Sequence, residues 1–371
     1  MVLLLSNDQR LKLGHLAETL AFAAAGGIAF GLAGVPAGWL SGAILAVAGA
    51  ALARRPMEIP VFLTRAIFVL IGISLGAVVT PETLHGMATY PLSIAVLIAA
   101  MAVISYAGGV YLRIVHGCDG VTAYLAAAPG GLSQVMAIAA ELGADLRAIA
   151  IVQTMRIVII AVGLPLGLAV FGLVGPSVRS IGGPFSIAAL DELAILIAVS
   201  TVAAIIAFRC RFPGGLLFGA MLTSAILHGS GLIHAVMPWW VVNTAMIALG
   251  AVTGSRFANT SLRMLMSFVA AAFGSFAVAV AIAAVAAVGL IGASSLRLAD
   301  VMIAFAPGSV DAMMLLALAL NIDPVYVGTH HLVRIVFVSL AMPLVARYVG
   351  RRMPSTPDER RPAPTSPPFQ D

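Results

Sequence analysis

Apolar residues run along this chain in long blocks, not in the alternation of a strand or the one-sided stripe of a soluble helix. In the first half the blocks cover about 15–33, 36–53, 62–79, 91–115, 120–142 and 149–173. Nearly all are long enough, at about 1.5 Å of rise per residue, to cross roughly 30 Å of hydrocarbon. Similar blocks fill the second half, and charged residues gather at block ends. The pattern predicts an all-α polytopic membrane protein with about 10–12 membrane segments. Arg10 and Lys12 precede the first block, which is long and followed at once by another. It reads as a first membrane helix, not a cleaved signal.

The halves repeat one design. Residues 122–172 align with 300–350 without a gap, and 14 of the 51 positions are identical. Pro129 meets Pro307, Gly130 meets Gly308, Asp145 meets Asp323, Arg156 meets Arg334 and Pro165 meets Pro343. Upstream, "GVPAGWLSGA" from Gly34 matches "RFPGGLLFGA" from Arg211, and Gly72 and Gly76 match Gly250 and Gly254. The implied divisions are a cytoplasmic N-terminus over 1–13, a first membrane repeat over 14–174 and a linker over 175–189. A second membrane repeat covers 190–350, and a Pro-rich, disordered cytoplasmic tail covers 351–371.

Arginine placement bears on orientation. With five crossings per half and the N-terminus inside, Arg54, Arg55, Arg65, Arg113 and Arg147 fall in cytoplasmic loops. So do Arg209, Arg211, Arg256, Arg263, Arg347, Arg351 and Arg352, while Arg179 and Arg297 fall outside. Six crossings per half would send Arg209, Arg211, Arg256 and Arg263 outside. The excess of arginine in cytoplasmic loops therefore favours an odd number of crossings and inverted repeats, without saying which segment fails to cross.

Each half carries a break inside an apolar block. Pro129 removes a backbone donor, and Gly130 and Gly131 let the chain turn. Pro307 and Gly308 recur in the second half, followed by Ser309 in place of the second glycine. A plain proline kink is one reading. The other is a broken helix lining a cavity, because exposed backbone survives in a membrane only against protein or water. Recurrence in both halves and the small polar residues Ser133, Gln134, Ser309 and Asp311 favour a broken helix per repeat and a solute site. Helices restarting at Leu132–Gln134 and Ser309–Asp311 would point their N-termini at an anion, and Ser133 and Ser309 could cap them.

Asp311 is a carboxylate deep in an apolar block, able to carry a proton or hold Na⁺, or to serve as a fixed ion pair or helix cap. Arg156 and Arg334 lie about eight residues into the following blocks, with Gln153 and His331 on the same helix face. An arginine pair facing a cavity suits a carboxylate or another anion. The alternatives are snorkelling to the interface or pairing with Asp311. His331 could relay protons.

Composition narrows the function classes. The chain is 61% hydrophobic and 9% charged, with a net charge of +5. Soluble domains carry about a quarter charged residues. The positive charge belongs to loop arginines and not to a nucleic-acid surface, so no direct nucleic-acid partner is expected. Cys118 and Cys210 form no ligand or disulfide framework. The remaining histidines form no metal-binding set, so no metal, cofactor or catalytic residue is assigned and the chain reads as a non-enzyme. Trp39, Trp239 and Trp240 look like interface anchors.

The paired blocks "AAPGGLSQVMAIAAELGAD" and "FAPGSVDAMMLLALALNID", with "GVPAGWLSGA" near the start, resemble the AbrB family of bacterial membrane proteins. This is the membrane AbrB duplication family, distinct from the small soluble DNA-binding regulator of that name. Its members are labelled ammonia monooxygenases or transcriptional regulators. The family is remotely similar to cation–proton antiporters, bile-acid symporters and anion transporters. The resemblance implies inverted repeats with broken helices, and regulation of gene expression by an indirect route.

These readings give an expected function: an inner-membrane secondary transporter of a small, anionic or metabolic solute, coupled to H⁺ or Na⁺. Its partners would be the bilayer, the solute and the coupling ion, with a homodimer as a further candidate. A solute sensor that does not transport, and a metal-dependent membrane monooxygenase, are the alternatives. Both termini should be cytoplasmic. Reporter fusions after Arg179 and after Arg352 should therefore give an external and a cytoplasmic signal respectively; matching signals would overturn the inverted arrangement.

Overall fold

The computed structural model describes residues 7–78, 90–129, 132–174, 190–258, 260–292 and 296–352. Gly130 and Gly131, the linker over 175–189 and the tail from 353 lie outside the described residues, as do the side chains of Ser133 and Gln134. Fourteen α-helices are present among the described residues. The first seven are α1 (Asn7–Leu32), α2 (Gly38–Leu52), α3 (Val61–Gly76), α4 (Tyr90–His116), α5 (Gly120–Ala127), α6 (Leu132–Leu142) and α7 (Leu146–Val170). The second seven are α8 (Leu190–Arg209), α9 (Gly215–Gly229), α10 (Trp239–Gly254), α11 (Leu262–Ile291), α12 (Leu298–Phe305), α13 (Val310–Ala319) and α14 (Pro324–Arg352). Both α3 and α10, and both α5 and α12, have boundaries 178 residues apart. Five helices, α1, α4, α7, α8 and α11, are long and apolar enough to cross a membrane.

Polar residues at a few fixed points start the helices. Asp119 accepts from the N–H groups of Val121 and Thr122 at 3.0 and 2.9 Å and so caps α5. Asp145 caps α7 through Arg147 and Ala148, and Asp323 caps α14 through Val325 and Tyr326. Each cap satisfies donors that an apolar surrounding cannot. The caps lie eleven residues before Arg156 and Arg334, about three turns, and this spacing fixes how deep each arginine sits.

The helices form two groups. α1–α3 pack with α8–α10, and α4–α7 pack with α11–α14. Within the first group the partners are exchanged: α3 lies on α9, and α10 lies on α2. Glycines make these crossings close. A Cβ on Gly72 would stand 2.8 Å from Ala220 Cβ, and one on Gly250 would stand 2.6 Å from Ala43 Cβ. Gly254 repeats the arrangement against Val47 at 2.8 Å. Lipid tails are as apolar as leucine, so van der Waals contact between close backbones drives much of such packing. In the second group, α13 touches α7 and α14 touches α6, so each re-started helix meets the long helix of the other half.

Gly72→Ala and Gly250→Ala should each destabilise the protein by about 1–3 kcal/mol, the usual effect of overfilling a packed contact. Gly163→Ala, where a Cβ meets nothing within 4 Å, should not. Thermal unfolding of the three variants in one detergent checks the contrast.

Candidate functional site

Both breaks have the same local form. After α5, Ala128 is extended (φ −60°, ψ 132°), and after α12, Ala306 is extended (φ −56°, ψ 129°). Each precedes a proline, Pro129 or Pro307, whose ring disfavours helical geometry in the residue before it. The break leaves the last carbonyls of a short helix without intrahelical donors in an apolar interior.

One side chain from the following long helix fills that need in each half. Arg156 donates from Nη1 to the Ala127 carbonyl at 3.0 Å and from Nη2 to Ala128 at 3.1 Å. Arg334 donates from Nη1 to Ala306 at 2.6 Å and from Nη2 to Gly308 at 2.7 Å. One turn earlier, Gln153 Nε2 donates to Leu125 at 2.9 Å, and His331 Nε2 donates to Ile303 at 3.3 Å. Arg334 Nη2 also bonds His331 Nδ1. A carbonyl only accepts and a guanidinium only donates, so His331 carries its hydrogen on Nε2 and its lone pair on Nδ1. Both ring nitrogens are thus engaged in holding the break.

The arginines are only 4% and 3% exposed, so neither snorkels to an interface. Both line one cavity of about 370 Å³ between the two helix groups. Pro129, Pro307, Gly308, Ser309 and Asp311 line it too. Leu132, Val310 and Gly214, at the N-terminal ends of α6, α13 and α9, also reach its wall, so three helix N-termini converge there. Gln153 and His331 are buried and lie outside the lining.

Asp311 sits in the first turn of α13. Among the described residues it makes no ion pair with Arg156 or Arg334, and its Oδ2 has no hydrogen-bond partner. Ser309 takes the N-cap position of α13, but its hydroxyl makes no capping bond and its Oγ is unpartnered among the described residues. The expected Ser309 cap is therefore corrected: the backbone starts the helix and leaves the hydroxyl unused. Ser133 lies inside α6 and not at its cap position. Arg156 Nε and Gln153 Oε1 also lack partners among the described residues.

Sequence reasoning missed Pro213 and Gly214 as cavity residues, though the recurrence of Pro36 in Pro213 had marked the motif. Arg256 also lines the cavity, and only its place in a loop had been noted. Its counterpart at the same spacing is Val78, so no symmetry signal could reveal it. Among the described residues, no three His, Cys, Asp or Glu side chains come together as a metal-binding group.

A profile of the family described as "Transition state regulatory protein AbrB" matches residues 39–350. The "Uncharacterized protein YhjN" of Bacillus subtilis (strain 168) is 25% identical over 346 residues, covering 87% of this chain and 90% of its own length. The "Putative regulator AbrB" of Escherichia coli (strain K12) is 27% identical over 275 residues, covering 71% of this chain and 76% of its own. The matched region takes in both breaks, both buried arginines and the whole cavity lining, and so the chain belongs to the AbrB family, as a multi-pass helical membrane protein.

Proposed function

We propose that the protein is a secondary transporter of a small anionic solute, coupled to H⁺ or Na⁺, in a bacterial inner membrane. One observation carries this reading. Two buried arginines at matching positions face a single cavity, and no acidic side chain among the described residues pairs with them. Carbonyl dipoles take up two of each guanidinium's donors but leave its charge in place, and an uncompensated buried charge attracts an anion. The cavity lies where both helix groups meet, so a shift between the groups would change its access. The recurring helix boundaries and the exchanged α3–α9 and α10–α2 contacts support paired halves, and the arginine distribution supports their inversion, with both termini cytoplasmic.

In this reading the solute's negative group rests near Arg156 and Arg334, and Asp311 takes the coupling cation. The unpartnered Ser309 hydroxyl and Asp311 Oδ2 offer the remaining polar contacts. From the sequence alone, Gly130, Gly131, Ser133 and Gln134 are assigned to the same solute site. The chain carries no catalysis of its own, binds no cofactor and works as a monomer or as a homodimer. One relative is named a regulator. For this chain, regulation would be indirect, with the moved solute sensed elsewhere. The second reading is a solute sensor built on the same cavity.

Proteoliposomes loaded with labelled small carboxylates decide between the two. The transporter gives flux driven by a pH or Na⁺ gradient, whereas saturable binding without flux favours the sensor. Arg334→Gln should lower stability by about 3–5 kcal/mol, because the change strips donors from buried carbonyls. Asp311→Asn should leave the melting temperature nearly unchanged, since no ion pair is lost among the described residues, while flux loses its dependence on the gradient. A sharp fall in melting temperature for Asp311→Asn would make the residue structural.

A further inference from the structure

A second cavity, of about 560 Å³, adjoins the first and shares Gly214, Val310 and Asp311 with it. Its rim holds Phe208, Arg209, Arg211 and Phe212, all exposed. Its walls are Phe68, Leu216, Leu217 and Phe218, which are half-buried or buried. Arg65 stands over the Phe208 ring, 5.1 Å from its centre, and brings a third positive charge to the mouth. The only acidic residue among the described lining is Asp311.

The turn that makes the rim is conformationally costly. Arg211 has φ +57°, in the left-handed region that disfavours side chains. The matching residue in the first half is Gly34, with φ +72°, where the same backbone carries no such cost. The matching positions for Phe208, Arg209 and Phe212 are Gly31, Leu32 and Val35. The first half therefore builds the same turn without its charge or its aromatic ring. The first-half turn has its own left-handed side chain at Ala37 (φ +52°) but glycine at the Arg211 position, so the turn can be made without an arginine there.

From these observations we infer that the second cavity holds an anionic phospholipid of the surrounding bilayer. Its phosphate lies between Arg209 and Arg211, and one acyl chain follows Phe212, Phe68 and Phe218 inward to Val310. Apolar walls below a cationic rim match a headgroup joined to a hydrocarbon tail, and a free phosphate has nothing to place against the phenyl rings. On the orientation proposed above, this turn faces the cytoplasm, where anionic lipids concentrate and each nearby arginine adds to their attraction. The chain end meets the first turn of α13, so the lipid rests on the wall that separates it from the solute cavity. This inference does not depend on transport.

Native mass spectrometry of the full chain, in detergent micelles holding equal phosphatidylglycerol and phosphatidylcholine, tests it. The wild type should retain phosphatidylglycerol preferentially. The Arg209→Gln/Arg211→Gln pair should lose that preference by about fivefold per arginine, the effect of one charge at a membrane surface. Arg54→Gln/Arg55→Gln, which removes the same charge from another turn, should keep it. Arg211→Gly should weaken the preference and raise the melting temperature in lipid-free detergent, because glycine tolerates the left-handed turn. An unchanged preference in the Arg209/Arg211 pair, or an equal loss in the Arg54/Arg55 pair, overturns the site. Displacement of the lipid by glycerol 1-phosphate at comparable concentration would identify a free-phosphate site and overturn it as well.

Discussion

The contact on which the rest of this structure depends is a guanidinium set against the open end of a short helix. A helix that stops inside an apolar medium leaves several carbonyls facing nothing, and each costs several kcal/mol. Arg156 and Arg334 answer that cost with two donors each, aimed at the carbonyls of Ala127 and Ala128 in one half and of Ala306 and Gly308 in the other. The planar fork of arginine serves two acceptors at once, which a lysine ammonium does less well. Burying the cation has its own penalty, offset by the same carbonyls. The break and the charge therefore stabilise each other. What remains is a positive potential inside the protein, in a cavity where three helix N-termini add their dipoles in the same sense.

The two cavities differ because the two halves differ at a few positions. Each half starts a helix after a proline at the corresponding turn, Pro36 or Pro213. The second half brings Gly214, Arg209, Arg211 and Phe212 to the walls of these cavities. Gly38 and Gly215 sit alike against the backbone of the preceding helix, but Ala37 is buried where its counterpart Gly214 is exposed. Shared helix boundaries thus coexist with unequal surroundings, and among the described residues the cavity beside Arg156 and Arg334 is framed mainly by the second half.

Much of the fold was legible in the sequence because membrane helices announce themselves by length. The apolar blocks over 36–53, 91–115 and 120–142 closely match α2, α4 and the α5–α6 pair. The breaks were legible because a Pro-Gly pair recurs at one spacing in both halves, with small polar residues after it. The partners of the arginines were not. Sequence placed Gln153 with Arg156, and His331 with Arg334, on one helix face, but a backbone carbonyl leaves no trace in side-chain identity. Ala127, Ala128 and Ala306 read only as small apolar residues. Ser309 misled for a related reason: its type favours capping, yet the chain entering from Pro307 leaves its hydroxyl without a partner among the described residues. Arg256 and the left-handed Arg211 depend on tertiary position and backbone angle, which local pattern does not encode.

The exchanged partners of α2 and α3 bear on how the chain is made. Gly72 on α3 needs α9, and Ala43 on α2 needs Gly250 of α10, both encoded well over a hundred residues later. During synthesis, α1 and α2 can already pair through Gly26 and Gly42, but the faces of α2 and α3 that carry Ala43 and Gly72 reach the bilayer bare. Those faces are rich in glycine and alanine, so lipid can cover them without a strong hydrophobic penalty, and they can wait. A large aromatic residue at such a crossing would be harmless until the second half emerged, and would then obstruct closure of the finished protein. The small residues therefore make late assembly tolerable as well as making the final contact close.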